Sequence, residues 1–163
     1  MATEGKNLST YDSDTIPNGA DFKIGIVVSE WNENITDNLC KGAKKALLDN
    51  GVLEENIIIE QAPGSFELPL GAQWMLKRDD IDGVVAIGSV IQGETKHFDF
   101  VCQATAQGVK DVGLKYDKPA IFCVLTDNTM QQAIDRSGGK HGNKGVEAAI
   151  ACLKMIDLKK KLK

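Results

Sequence analysis

The chain has 163 residues and a formal net charge of -4, and 42% of its residues are hydrophobic and 26% charged. These values predict one folded domain and argue against disorder. The acidic balance gives no reason to expect nucleic acid or an anionic membrane as a partner, and no stretch reaches the ~20 apolar residues of a membrane helix. The polar N-terminus lacks the apolar core of a signal peptide. We therefore expect a cytoplasmic protein with an extended or mobile arm over residues 1–20 and one domain over 21–163.

The cysteine pattern predicts neither a disulfide framework nor a zinc site. No two cysteines form a C-x-x-C pair, and the chain has only two histidines. Free thiols suit a reducing compartment, and cysteine packs as a small apolar side chain. We expect all four to lie in the core: Cys40, Cys102, Cys123 and Cys152.

Four short apolar runs rich in β-branched residues predict four strands. They span residues 22–28, 57–61, 83–90 and 120–125. Nearly continuous apolar runs are typical of strands that are buried on both faces, as in a parallel sheet.

Apolar residues at helical spacing predict five helices between and after these runs. The patterns cover 35–47, 69–78, 97–112 and 130–137, and a last helix starts near 143. Asn34 is a candidate N-cap for the first helix, and Asn50-Gly51 is a candidate end. Strands alternating with helices predict an α/β three-layer sandwich, in which a four-stranded parallel sheet has helices on both faces.

Ligands of open parallel sheets bind outside the carboxyl ends of the strands, and two polar segments there carry an aromatic or a carboxylate. Trp31 follows the first run, where it can stack on a flat heterocycle or cover the edge of the core. Residues 62–67 follow the second run. There Ser65 and Glu67 can bond hydroxyls or ring nitrogens, or the segment is only a turn that enters a helix.

Two further segments suggest an anion site with a nearby proton donor. Residues 91–97 enter a helix, where free backbone N–H groups bind anions, and Thr95 can add a hydroxyl. His97 can transfer protons near neutral pH or serve only a structural role. Arg136 precedes a glycine-rich stretch with two lysines, which can bind phosphate or merely connect two helices. This stretch is not a P-loop, because Val146 follows Gly145.

Three long strings in the chain resemble motifs of the lumazine synthase family. They are APGSFELP at 62–69, GSVIQGETKHFDFV at 88–101, and VLTDNTMQQAIDRSGGKHGNKGVEAA at 124–149. The resemblance runs from about residue 22 to residue 158. It implies a flavodoxin-like fold and an enzyme of riboflavin biosynthesis that uses no metal or organic cofactor.

The resemblance also implies a reaction and a role for particular residues. The enzyme would condense 5-amino-6-(D-ribitylamino)uracil with 3,4-dihydroxy-2-butanone 4-phosphate, giving 6,7-dimethyl-8-(D-ribityl)lumazine, phosphate and water. His97 would be the general acid/base. The expected ligands of the ribitylaminouracil are Trp31, Ser65, Phe66, Glu67, Ser89, Val90, Ile91, Lys144 and, from a neighbouring subunit, Phe122; those of the butanone phosphate are Glu94, Thr95 and Arg136.

Three positions depart from the family's common pattern. Gln92 stands where Arg or Lys is common, so phosphate binding would depend more on Arg136. Trp31 replaces the commoner Phe, and its larger ring would hold lumazine or riboflavin more tightly. Glu94 is expected to use its backbone N–H while its carboxylate points away.

The resemblance implies homopentamers, and some family members assemble twelve pentamers into a hollow shell. The short junction at 138–142 favours a shell here, whereas Pro17 in the arm would block strand addition to a neighbour. Riboflavin synthase is a candidate partner. Two other interpretations remain: a non-catalytic flavin- or lumazine-binding or shell protein, and a generic flavodoxin-like module for phosphosugars.

Overall fold

The computed structural model describes residues 7–162, which form an α/β sandwich around one main sheet. The strands are β1 (Ile24–Ser29), β2 (Ile57–Ala62), β3 (Gly83–Ile91) and β4 (Ala120–Asp127), all parallel in the order β2-β1-β3-β4. The helices are α1 (Glu33–Asp49), α2 (Leu68–Leu76), α3 (His97–Tyr116), α4 (Met130–Arg136) and α5 (Lys144–Lys161). The predicted fold class is therefore confirmed.

Strand β1 and most of β3 are buried on both faces, because alternate residues of a strand point to opposite sides, whereas the edge strand β2 is largely half-buried or exposed. Ile24, Ile26 and Val28 of β1 pack with α1 and α5, whereas Val27 packs with α2 and α3. This explains why the runs read as nearly continuous apolar sequence. Within 7–162, no helix combines the length and apolarity needed to cross a membrane.

Residues before β1 pack on the α1 and α5 side of the sheet. Leu8 N–H donates to the His141 carbonyl at 2.8 Å, and Gly19 N–H donates to the Asn50 carbonyl at 2.8 Å. Tyr11 and Ile16 lie against the core. Residues 1–6 of the predicted arm are outside the described range, and the division into an arm and a domain at residue 20 stays a prediction.

Helix α1 begins two residues earlier than predicted, and Asn34 is not its cap. The cap position belongs to Asn32, whose backbone is left-handed at φ 58° and whose side chain does not cap the helix. The Asn32 side chain instead donates to the Ser89 carbonyl at 2.8 Å. Asparagine tolerates left-handed backbone better than most residues do, so the chain can turn sharply here from strand to helix.

The cysteine prediction is wrong for Cys102, which is half-buried and belongs to neither core cluster. Cys123 and Cys152 are buried in the core as expected, and Cys40 is half-buried but packs against it. The glycine-rich stretch after α4, expected either to bind phosphate or to connect two helices, contains a short antiparallel hairpin, β5 (Ser137–Gly139) with β6 (Gly142–Asn143). Gly138 and Gly142 carry positive φ in it, which glycine adopts without strain.

Candidate active site

Trp31 and the turn after β2 meet where β1 and β2 end. A Cβ atom at Gly64 would lie 3.4 Å from Trp31 Cδ1 and 2.9 Å from Glu67 Oε2. The Trp31 side chain is 71% exposed and therefore does not cover the core edge within this chain. An open indole face thus stands beside a carboxylate.

The end of β3 joins the same cluster. A Cβ atom at Gly88 would lie only 2.5 Å from Ser65 Oγ, so only glycine lets the turn after β2 approach β3 this closely. The Asn32 bond to the Ser89 carbonyl fixes the Trp31 segment against β3. We call this end of the sheet, where β1 to β4 terminate, the carboxyl edge.

Four buried side-chain oxygen atoms in the described residues lack a hydrogen-bond partner, and all four lie at the carboxyl edge. They are the hydroxyls of Ser29, Ser65 and Ser89, and Oδ2 of Asp127. Buried polar groups are nearly always bonded, so each exception requires an explanation. Their shared position makes the carboxyl edge the polar end of a largely apolar sheet.

The segment that connects β3 to α3 presents backbone groups and the imidazole to solvent. Gln92 N–H donates to the Asp127 carbonyl at 2.9 Å, which places the start of the segment beside β4. Glu94, Thr95 and His97 are exposed, and His97 N–H donates to Thr95 Oγ1 at 3.3 Å. The positive end of the α3 dipole therefore faces an accessible surface, where an anion would be stabilised.

Arg136, the last residue of α4, lies at the same edge and faces Asp127. Its Nη1 is 3.7 Å from Asp127 Oδ1 and donates to the Gln132 carbonyl at 3.0 Å. Burial raises the pKa of the Asp127 carboxyl, and the Arg136 charge opposes this shift. The Arg136 side chain is 31% exposed and can reach a ligand.

Two predicted site residues lie elsewhere in the chain. Phe122 precedes Asp127 by five positions, roughly 16 Å along the strand, and packs on the α2 and α3 side of the sheet. Lys144 pairs with Glu147 at 2.5 Å at the start of α5. A contribution of Phe122 from a neighbouring subunit, and of Lys144 to the ring oxygens, stays a prediction.

Sequence reasoning assigned no role to Asn32 or Asp127, although both stand in segments that it marked. The sequence does show a polar residue directly at each of these strand ends. It does not show which of the polar side chains there points into the site. Within residues 7–162 no group of three or more His, Cys, Asp or Glu side chains could hold a metal ion.

Comparison with known proteins decides the family. Residues 21–160 match the family model of 6,7-dimethyl-8-ribityllumazine synthase. The chain belongs to this family. A protein of that name from Flavobacterium johnsoniae is 63% identical, with 95% of this chain and 82% of the relative covered. One from Christiangramia forsetii is 59% identical, with 100% of this chain and 98% of the relative covered. One from Cytophaga hutchinsonii is 53% identical, with 96% of this chain and 98% of the relative covered.

Family membership confirms the resemblance seen in the three long strings. The sheet is the family's flavodoxin-like sheet, and the chain is an enzyme of the transferase type in riboflavin biosynthesis. The matched residues include all four strands and the whole carboxyl edge.

Proposed function

We propose that the carboxyl edge condenses 5-amino-6-(D-ribitylamino)uracil with 3,4-dihydroxy-2-butanone 4-phosphate. The observation that carries this assignment is the convergence of four chain segments, each following a different strand. Together they bring an open aromatic face, buried hydroxyls, an exposed helix start and a guanidinium to one edge. A flat heterocycle with a polyol chain and a small phosphate ester requires this combination of groups.

The ring and ribityl chain of the first substrate bind at the β1, β2 and β3 ends. Trp31 stacks on the ring, since its indole is exposed and adjoins the turn at Gly64. The ribityl hydroxyls contact Ser65, Phe66 and Glu67, of which Ser65 has a buried, unbonded hydroxyl. Backbone groups of Ser89, Val90 and Ile91 bond the ring edge, and Lys144 would have to leave its pair with Glu147 to approach the ring oxygens.

The phosphate of the second substrate binds between the start of α3 and the end of α4. N–H groups of Glu94 and Thr95 donate to its oxygens, and Arg136 supplies the charge. Gln92 brings no charge of its own, so Arg136 carries more of the phosphate recognition. Because phosphate is also a product, the same groups must release it after each turnover.

The chemistry consists of imine formation with loss of water, phosphate elimination, and ring closure with loss of a second water. The amine adds to the ketone and water leaves, which needs a group that gives and takes protons. His97, at the exposed start of α3, is that general acid/base. Holding two substrates in register supplies much of the remaining acceleration, and none of these steps calls for a cofactor.

The working unit is a homopentamer in the cytoplasm, with Phe122 of one subunit completing the ring site of the next. Its place away from the carboxyl edge of its own chain supports this arrangement, because a residue there reaches a site only across an interface. The short hairpin from β5 to β6 favours a shell of twelve pentamers, and riboflavin synthase is the proposed recipient of the product.

Incubation of the purified full chain with both substrates tests the assignment. We expect fluorescent lumazine and inorganic phosphate to appear in equal amounts, and neither to appear when one substrate is omitted. Phosphate release without lumazine would favour a phosphosugar module. Binding of lumazine without turnover would favour a non-catalytic binding protein, and either result would contradict the assignment.

A further inference from the structure

We propose that Asp127 competes with phosphate for Arg136 and thereby weakens the retention of inorganic phosphate after turnover. The carboxylate holds the guanidinium at the carboxyl edge when no phosphate is bound, and it takes the guanidinium back as phosphate leaves. This inference rests on the phosphate site proposed above, and it assigns a positioning role to a residue that does not touch the reacting atoms.

Asp127 and Arg136 form a long ion pair that leaves hydrogen-bonding groups of both side chains unused. The Asp127 side chain is 8% exposed, and the separation of Oδ1 from Arg136 Nη1 is 3.7 Å, longer than a hydrogen bond. Its second oxygen, Oδ2, is buried without a partner. The Arg136 side chain bonds the Gln132 carbonyl instead, so its charge is attracted by Asp127 while its other N–H groups can turn to a ligand.

Asp127 also lies beside the proposed anion segment. It pairs in register with Ile91, and its carbonyl accepts from the N–H of Gln92. Asp127 therefore contacts the start of that segment through its backbone and faces Arg136 through its carboxylate. A phosphate bound by both would be close to a buried negative charge, which is screened by solvent less than a surface charge is.

The sign of the effect follows from the charges. A resident anion attracts the same guanidinium that a phosphate needs and repels the phosphate itself. Burial already raises the pKa of Asp127, and the cation that opposes this shift is Arg136. When a phosphate draws the Arg136 guanidinium away, the buried Asp127 carboxylate loses the positive charge that stabilises its ionised form. Phosphate is thus bound less tightly than Arg136 alone would allow.

Binding of inorganic phosphate to the full-length wild type and to Asp127→Asn, by calorimetry at constant ionic strength, tests the inference. We expect phosphate to bind about threefold to tenfold more tightly to the variant, since one close unit charge at a partly buried site has an effect of this order. The product-inhibition constant for phosphate and the KM for the butanone phosphate should fall in parallel. The KM for the ribitylaminouracil should not change, a split that a general structural defect would not produce.

Asp135→Asn is the matched control, because it removes the same formal charge from α4, next to Arg136 in sequence. We expect it to change phosphate affinity less than twofold. Asp127→Thr, neutral and suited to a strand, provides a second variant should Asp127→Asn fold poorly. Equal or weaker phosphate binding in a folded Asp127 variant, or equal tightening in Asp135→Asn, would overturn the inference.

Arg136→Ala separates this inference from the proposed function. If Arg136→Ala binds phosphate as well as the wild type, the phosphate site itself is misplaced. If Arg136→Ala weakens binding but Asp127→Asn does not tighten it, the site stands and only the role of Asp127 is wrong.

Discussion

At the scale of single residues, polarity in this chain is concentrated where the strands end. The core faces of β1 and β3 are apolar throughout, yet Ser29 and Ser89 are buried at or near their ends. An unbonded buried hydroxyl costs about 1–3 kcal/mol in stability. We interpret these residues as retained for binding, because serine offers a strand end no packing advantage over alanine.

His97→Ala is expected to reduce kcat by at most ~10²–10⁴-fold, since this is the usual contribution of one general acid/base. Positioning of the two substrates would sustain the rest of the rate. Steady-state kinetics checks this, with His141→Ala as the control because it removes the chain's other histidine. A loss beyond about six orders of magnitude would show that the proton shuttle carries far more of the acceleration.

Riboflavin is expected to quench tryptophan fluorescence through Trp31. The chain has two tryptophans, both exposed, but Trp74 lies six positions into α2, roughly 9 Å from the helix start. Titration of Trp74→Phe should keep the quenching, and titration of Trp31→Phe should lose most of it. Absence of quenching in the wild type would contradict tight stacking on Trp31.

At the scale of elements, α1 and α5 are joined by an unusually close approach. Asn143 caps α5 by accepting from the Gly145 N–H at 2.8 Å, and its amide donates to the Asn38 carbonyl at 2.8 Å. A Cβ atom at Gly145 would overlap the carbonyl oxygen of Leu39. The start of α5 is therefore set directly on the backbone of α1, and the hairpin after α4 ends at this contact.

Gly145→Ala is expected to destabilise the protein by about 1–3 kcal/mol, because the backbones of α1 and α5 must separate. The free energy of unfolding by urea measures this. Gly93→Ala is the control, since a Cβ atom there meets nothing within 4 Å and its φ is not positive. Equal stability of the two variants would contradict the close packing.

The strands and helices were largely predictable from the sequence, because continuous apolar runs and helical spacing identify buried strands and one-sided helices. The residues at which these strands and helices begin and end were less predictable. Helix α1 starts at a left-handed Asn32 rather than at the predicted cap, and β4 extends through Thr126 to Asp127. Such ends depend on tertiary bonds, as between Asn32 and Ser89, which leave no pattern in the sequence.

The candidate site was predictable for a different reason. The rule that ligands bind at carboxyl ends located the segments, and the long motifs named their residues. Neither shows which side chains turn inward, so Asp127 was missed. Neither can test Phe122, whose proposed site lies in another subunit.

At the scale of the whole molecule, the proposed reaction requires that each active site be shared between two neighbouring subunits. Trp31, His97 and Arg136 belong to the carboxyl edge of one chain, whereas Phe122 lies on the α2 and α3 side, far from that edge. That side also exposes Phe66, Trp74 and Phe100, a surface that an interface between copies would cover.

Mixing two defective variants tests the shared site most directly. Arg136→Ala removes a proposed phosphate ligand at the carboxyl edge, and Phe122→Ala removes the residue that is proposed to complete a neighbour's site. If they are unfolded and reassembled together in equal amounts, about a quarter of the sites should have both residues intact. Lumazine formation at low substrate concentration should then rise to about a quarter of the wild-type rate. Activity no higher than the mean of the two variants assembled separately would contradict the shared site.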